Sequence, residues 1–177
     1  LEPYAQENWR EWQGFERLEQ EGENLYAVME WCRAQERYDD FQQFWQQLKG
    51  YTQFCGHWQA RLTWMDWLMA EAKVREDWAA FADALYHASR TLYLFNQTEQ
   101  TQRAVEFWQQ AWQLSQTQSS LGFQVDLTIH RAALCSQQQQ FELAMRWLDR
   151  GVELLQQDAG LQAEAYQRVD LDYYRAE

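Results

Sequence analysis

Apolar side chains recur at spacings of three and four along almost the whole chain, interrupted only by short clusters of polar residues or glycine. That spacing puts them on one face of an α-helix and is incompatible with the alternation of a half-buried strand. Tyr38, Phe41, Trp45 and Leu48 form one such seam, with Phe44, Tyr51 and Phe54 forming a second on the same predicted helix, which Gly56 ends. The next helix, from about His57 to Val74, carries Trp58, Leu62, Met65 and Met69 on one stripe and Trp64, Trp67 and Leu68 beside it. A third, after Arg75-Glu76-Asp77, carries Trp78, Phe81, Leu85, Leu92 and Phe95, with Asn96 as its left-handed stop. Its partner runs from about Glu99 to Gln116. Ser119-Ser120 and Gly122 open a further pair: Phe123, Leu127, Ala133 and Leu134 on its first helix, and Phe141, Ala144, Met145, Leu148, Val152 and Leu155 on its second. A break at Asp158 to Gly160 precedes a closing helix to about Tyr174.

About nine helices result. Breaks of about two to five residues fold successive helices back as antiparallel neighbours. The expected fold is therefore all-α, a right-handed superhelix of antiparallel helix hairpins of the tetratricopeptide-like α-solenoid kind. Residues 1–37 form N-terminal capping helices, 38–157 three divergent hairpins, and 158–177 a C-terminal helix. Composition agrees. The chain has one proline, Pro3, and seven glycines in 177 residues, so little in it breaks a helix. Apolar types make up 46% and tryptophan alone contributes 11 residues, enough large side chains to build a core.

Small residues test the repeat. Ala104 and Ala111, with Leu114 three beyond, match Ala144 and Gly151, with Phe141 three before and Leu154 three beyond. Small residues seven positions, or two turns, apart let a neighbouring helix approach closely, as on the second helix of a tetratricopeptide unit. Stepping back from Ala104 reaches Arg61 and Leu68, where the small residues are lost. The steps are 43 (61 to 104) and 40 (104 to 144), longer than the roughly 34 of standard units. The first-helix signature and the closing proline of standard units are both missing. HEAT-like units have a comparable period but call for a proline-kinked helix that the chain lacks, and an irregular helical bundle is the plain alternative.

The formal charge of −12 and pI near 4.7 disfavour a phosphate backbone as partner. Cations are nearly all arginine, with lysine only at Lys49 and Lys73. Three scattered cysteines, Cys32, Cys55 and Cys135, suit reduced thiols in a cytoplasmic protein. No apolar run approaches the roughly 20 residues of a membrane span. The absence of methionine at Leu1 suggests a piece of a longer chain.

Chemistry is sparse. His57, His87 and His130 lie on separate helices without ligand spacing to a carboxylate, and Cys55-Gly56-His57 lacks the second ligand pair of a zinc site. Asp39-Asp40 begins a helix, where negative charge meets the positive end of the dipole. No Gly-x-Ser-x-Gly or phosphate-binding Gly-rich loop occurs. The expectation is a non-enzymatic segment with no cofactor and no metal. A binding face is better motivated: Asp83, Tyr86, His87, Arg90 and Leu94 share one line on the predicted first helix of a hairpin, the side that faces the concave surface of a solenoid. Arg90 with Tyr86 could grip an acidic or C-terminal carboxylate, with His130 or Arg131 in the equivalent place on the next unit. Against this stands plain packing, with Tyr86 half-buried and Arg90 paired to Asp83 or Glu99. Gln137 to Gln140 reads as a polar turn.

Glu23-Asn24-Leu25 leading to Trp31-Cys32, and Gly56-His57-Trp58 leading to Arg61-Leu62, Trp64 and Trp67, resemble the start of the helical repeat region in bacterial STAND-class regulators of the NB-ARC ATPase kind. The resemblance covers roughly Asn8 to Trp78. It implies a regulatory arm that senses a protein, peptide or other ligand and holds an ATPase module at rest, its partner being that module of its own parent chain. No nucleotide-binding residue of the family maps onto this sequence. The alternative is a free-standing protein-interaction scaffold unrelated to nucleotide switching.

Overall fold

The computed structural model describes residues 15–157, and the closing helix expected over 158–177 lies outside them. The described residues are all-helical, without a strand. Eight helices follow one another: α1 (Phe15–Gln20), α2 (Gly22–Ala34), α3 (Tyr38–Phe54), α4 (Trp58–Val74), α5 (Trp78–Leu94), α6 (Thr98–Gln118), α7 (Leu121–Gln137) and α8 (Phe141–Gln156). The chain divides into two compact units, Leu1–Ala80 and Phe81–Glu177, the division falling within α5.

One turn recurs. Glu36, Gly56, Glu76 and Asn96 take positive φ (53°, 82°, 56° and 49°), a constant step of 20 residues, and Gln139 joins them at 61°. After four of these five residues the next N–H reaches back to a carbonyl five residues earlier: Arg37 to Cys32 at 2.8 Å, His57 to Thr52 at 3.2 Å, Asp77 to Ala72 at 2.9 Å and Gln140 to Cys135 at 2.9 Å. The left-handed residues Glu36, Glu76 and Gln139 add their own N–H bonds to the carbonyls of Arg33, Lys73 and Ser136. This is the Schellman ending, which satisfies carbonyls that a helix terminus leaves orphaned. The next helix begins one residue later on an aromatic side chain, Tyr38, Trp58, Trp78 or Phe141. Asn96 is the left-handed stop read from the sequence. Ser120 caps α7 by accepting the Phe123 N–H at 3.3 Å.

In the first unit the seam of Tyr38, Phe41, Trp45 and Leu48 is buried as the periodicity predicts. On α4 the face is shifted. The buried residues are Arg61, Trp64, Met65, Leu68 and Ala72, while Trp58, Leu62 and Met69 are half-buried. Arg61 is the cause, because this cation is 0% exposed. Its Nη1 donates to the Lys49 carbonyl and to Thr52 Oγ1 (2.8 Å), and its guanidinium lies 4.9 Å from the centre of the Trp45 ring. Lys49 and Thr52 belong to the end of α3, where unpaired carbonyls and the dipole favour a positive charge. A long cation thus occupies the position where a small residue was expected.

In the second unit Ala104, Ala111, Ala144 and Gly151 are all buried, as the repeat argument requires. The α7 and α8 core joins Val125, Ile129, Ala132 and Cys135 to Ala144, Leu148, Leu154 and Leu155, flanked by Trp112 and Trp147.

Two stability predictions follow from these elements. A left-handed conformation costs a side-chain-bearing residue roughly 1–2 kcal/mol, and glycine returns roughly 0.5–1 kcal/mol of that as lost chain entropy. Glu36→Gly, Glu76→Gly and Gln139→Gly should each stabilise by about 0.5–1 kcal/mol, and Gly56→Ala should destabilise by about 1 kcal/mol, all read by urea denaturation. Arg61→Met should cost about 3 kcal/mol or more by stranding the Lys49 carbonyl and Thr52. Arg61→Lys should recover little of it, since lysine cannot both fork and stack.

Candidate binding site

The face proposed from Asp83, Tyr86, His87 and Arg90 lies on α5, and its candidate partners His130 and Arg131 on α7. Folding draws most of it inward: Tyr86 is 7%, His87 2% and His130 6% exposed, while Asp83, Arg90 and Arg131 are half-buried. Tyr86 packs edge-on against His87, Phe123 and His130, with ring centres 5.0, 5.5 and 5.9 Å away. His87 Nε2 is 3.4 Å from Asp83 Oδ1, four residues before it on the same helix, so the expectation that no histidine has a carboxylate within reach on its own helix fails here. The Arg90 guanidinium stands 5.5 Å from the centre of the Tyr86 ring, and its Nη1 is 3.4 Å from the Tyr86 hydroxyl. Arg90 therefore forms the accessible rim of a buried aromatic and imidazole cluster.

Ser89, which the sequence reading did not single out, organises that cluster. Its hydroxyl donates to the Ala104 carbonyl at 2.7 Å, and His130 Nε2 lies 2.8 Å from the same oxygen. A hydroxyl has one proton. With that proton on the Ala104 carbonyl, the imidazole is the donor through Nε2–H, so one serine oxygen joins α5, α6 and α7. Burial, then the nearby charges of Arg90 and Arg131 and the His87 ring, hold the His130 pKa well below its ordinary value, and the ring is neutral. A mid-helix serine in an alanine-rich stretch was the available signal.

Arg131 differs from Arg90 in what it leaves unsatisfied. Its guanidinium lies 5.0 Å from the centre of the Trp108 ring, while its buried Nε and Nη1 have no hydrogen-bond acceptor. Trp108 is itself anchored, donating Nε1–H to the Leu127 carbonyl at 2.8 Å and packing with Trp112 and Trp147 at 5.8 and 4.9 Å. At the end of α7, Gln137 donates to the Tyr93 carbonyl (3.2 Å) and Asn96 Oδ1 (2.8 Å) and accepts from Thr101 (3.1 Å). The glutamine run starting there includes the turn residue Gln139, and a polar depression of about 270 Å³ lies beside it.

Among the described residues no three His, Cys, Asp or Glu side chains gather as a metal-ligand set, and no helix is long and apolar enough to cross a membrane. Compared with known proteins, the chain matches no family model, no curated protein and no solved structure.

His130 sets a pH dependence. Its folded-state pKa is depressed, so between that value and the ordinary histidine value near 6.5 the unfolded chain binds a proton that the folded chain does not. Stability should therefore fall as pH drops below about 6.5, with a slope approaching about 1.4 kcal/mol per pH unit from this residue. Urea denaturation at stepped pH measures it, and His130→Gln should flatten the slope.

Proposed function

We propose that this segment is a tetratricopeptide-like α-solenoid, a right-handed superhelix of antiparallel helix hairpins, that works by recognising protein or peptide. The observation that carries this reading is the recurrence of a left-handed residue at positions 36, 56, 76 and 96, bounding α3, α4 and α5, helices of 17 residues each. Equal helices joined by equal turns are how a chain builds a stack whose surface grows with each unit. The close-packing residues Ala104, Ala111, Ala144 and Gly151 support the same reading.

Arg90 and Arg131 make an acidic segment the partner of choice in a chain of net charge −12. Both side chains are half-buried rather than enclosed, and guanidinium suits carboxylate geometry. Together with the STAND-class resemblance, this makes the segment a cytoplasmic sensor arm that holds an NB-ARC ATPase at rest, and it assigns the arm no chemistry of its own.

The test uses the parent chain. Arg90→Ala with Arg131→Gln should raise basal nucleotide hydrolysis by about fivefold or more, the lower range of ordinary allosteric coupling, with the helical signal retained. A parent gene without a phosphate-binding loop, or unchanged hydrolysis in the double variant, would refute the regulatory-arm reading.

A further inference from the structure

The short helix α1 rests on a seat formed by the end of α3 and the start of α4. Phe15 meets the Tyr51 ring edge-on at 6.0 Å and stacks on Phe54 at 6.0 Å and 25°. Glu19 Oε2 accepts the Tyr51 hydroxyl at 2.6 Å and faces His57 Nε2 at 3.2 Å. These two groups hold the Glu19 carboxyl below the usual carboxylate range. Leu18 is buried with Phe15, so one turn of helix offers an aromatic, an aliphatic and an acid on a single face.

One feature marks α1 as separable. At six residues it is far shorter than the roughly 12–15 an isolated helix needs in water, so its order comes from the seat. The seat also has unused capacity. Phe54 stays 46% exposed with Phe15 stacked on it, and the Tyr26 hydroxyl, whose ring lies 5.1 Å from that of His57, is buried without a hydrogen-bond partner.

We infer that this seat is a peptide-recognition groove for a helical partner segment bearing an aromatic residue, an aliphatic residue three positions on and a carboxylate four positions on, with α1 occupying it in cis as a strap. Phe15, Leu18 and Glu19 show the chemistry the groove accepts: an aromatic plate, an apolar floor and two donors converging on one carboxylate oxygen. A tethered strap acts at an effective concentration of about millimolar, enough to exclude a free peptide at micromolar levels. A partner enters when the strap lifts. The inference is independent of the Arg90 and Arg131 reading and uses none of its residues.

The experiment titrates a fluorescein-labelled peptide of the sequence of residues 13–22 into the full chain and reads anisotropy. Phe15→Ala with Glu19→Ala empties the seat and should bind the peptide at least about tenfold more tightly than the unaltered chain. A peptide with the same two positions changed to alanine should not bind, and Tyr51→Phe with His57→Ala added to the strap variant should abolish the gain. Equal affinity for the unaltered chain and the strap variant, or equal binding of both peptides, overturns the inference. Should the double strap variant lose its helical circular dichroism, Glu19→Gln alone decides on the same criteria, with a smaller gain expected.

Discussion

The hydrogen bond that closes four of the five left-handed turns is the constraint on which this architecture rests. It ends one helix, satisfies a carbonyl that would otherwise be orphaned, and delivers the next helix within three residues. The accepting carbonyls belong to Cys32, Thr52, Ala72 and Cys135, and every one of these side chains is buried. All four are small residues. Cys32 and Cys135 are therefore explained as small apolar side chains at a helix ending, with burial pushing both thiols up in pKa and away from reactivity. The turn converts a local backbone preference into helix packing.

What was legible follows from the range of each interaction. The seam of α3, the Asn96 stop, the opening of α7 near Ser119-Ser120 and the small residues of α6 and α8 depend on neighbours within a few positions, and the spacing reveals them. The breaks near 37, at 75–77 and at 137–140 were legible, but their left-handed residues stayed hidden because Glu36, Glu76 and Gln139 are ordinary helix formers forced to positive φ by the turn. Their signature was present nonetheless: a small residue, three positions, the left-handed residue, one position, and an aromatic. It fits Cys32 to Tyr38, Thr52 to Trp58, Ala72 to Trp78 and Cys135 to Phe141. The α4 face was set by long-range chemistry instead, since periodicity alone does not place a buried arginine on the end of another helix.

The candidate site shows the same boundary. Asp83, Tyr86, His87 and Arg90 share a helix, and their line was visible in the spacing. Ser89 and His130 are 41 residues apart, and their pairing depends on how α5 and α7 register, which no local pattern encodes. The structure thus turns an expected row of surface groups into a buried polar cluster with an arginine at its edge. That matters for function because a rigid interior fixes where the accessible cation stands, and a preorganised guanidinium loses less freedom when it meets a carboxylate.

The preference for arginine over lysine has a physical counterpart in the packing of six arginines on aromatic rings. Arg37 lies over Trp31, Arg61 over Trp45, Arg75 over Tyr38, Arg90 over Tyr86, Arg103 over Phe107 and Arg131 over Trp108. A planar, weakly hydrated guanidinium stacks on a ring and still directs its N–H groups sideways, whereas an ammonium keeps its water. In helices this rich in aromatics, arginine is the cation that can sit against the core. Arg61 spends its donors on a helix terminus and serves the fold. Arg131 rests on Trp108 in the same way yet leaves Nε and Nη1 without acceptors. The two stacked arginines therefore differ in cost: the buried Arg61 donors are met by a helix terminus, whereas the buried Nε and Nη1 of Arg131 are a polar cost carried inside the fold.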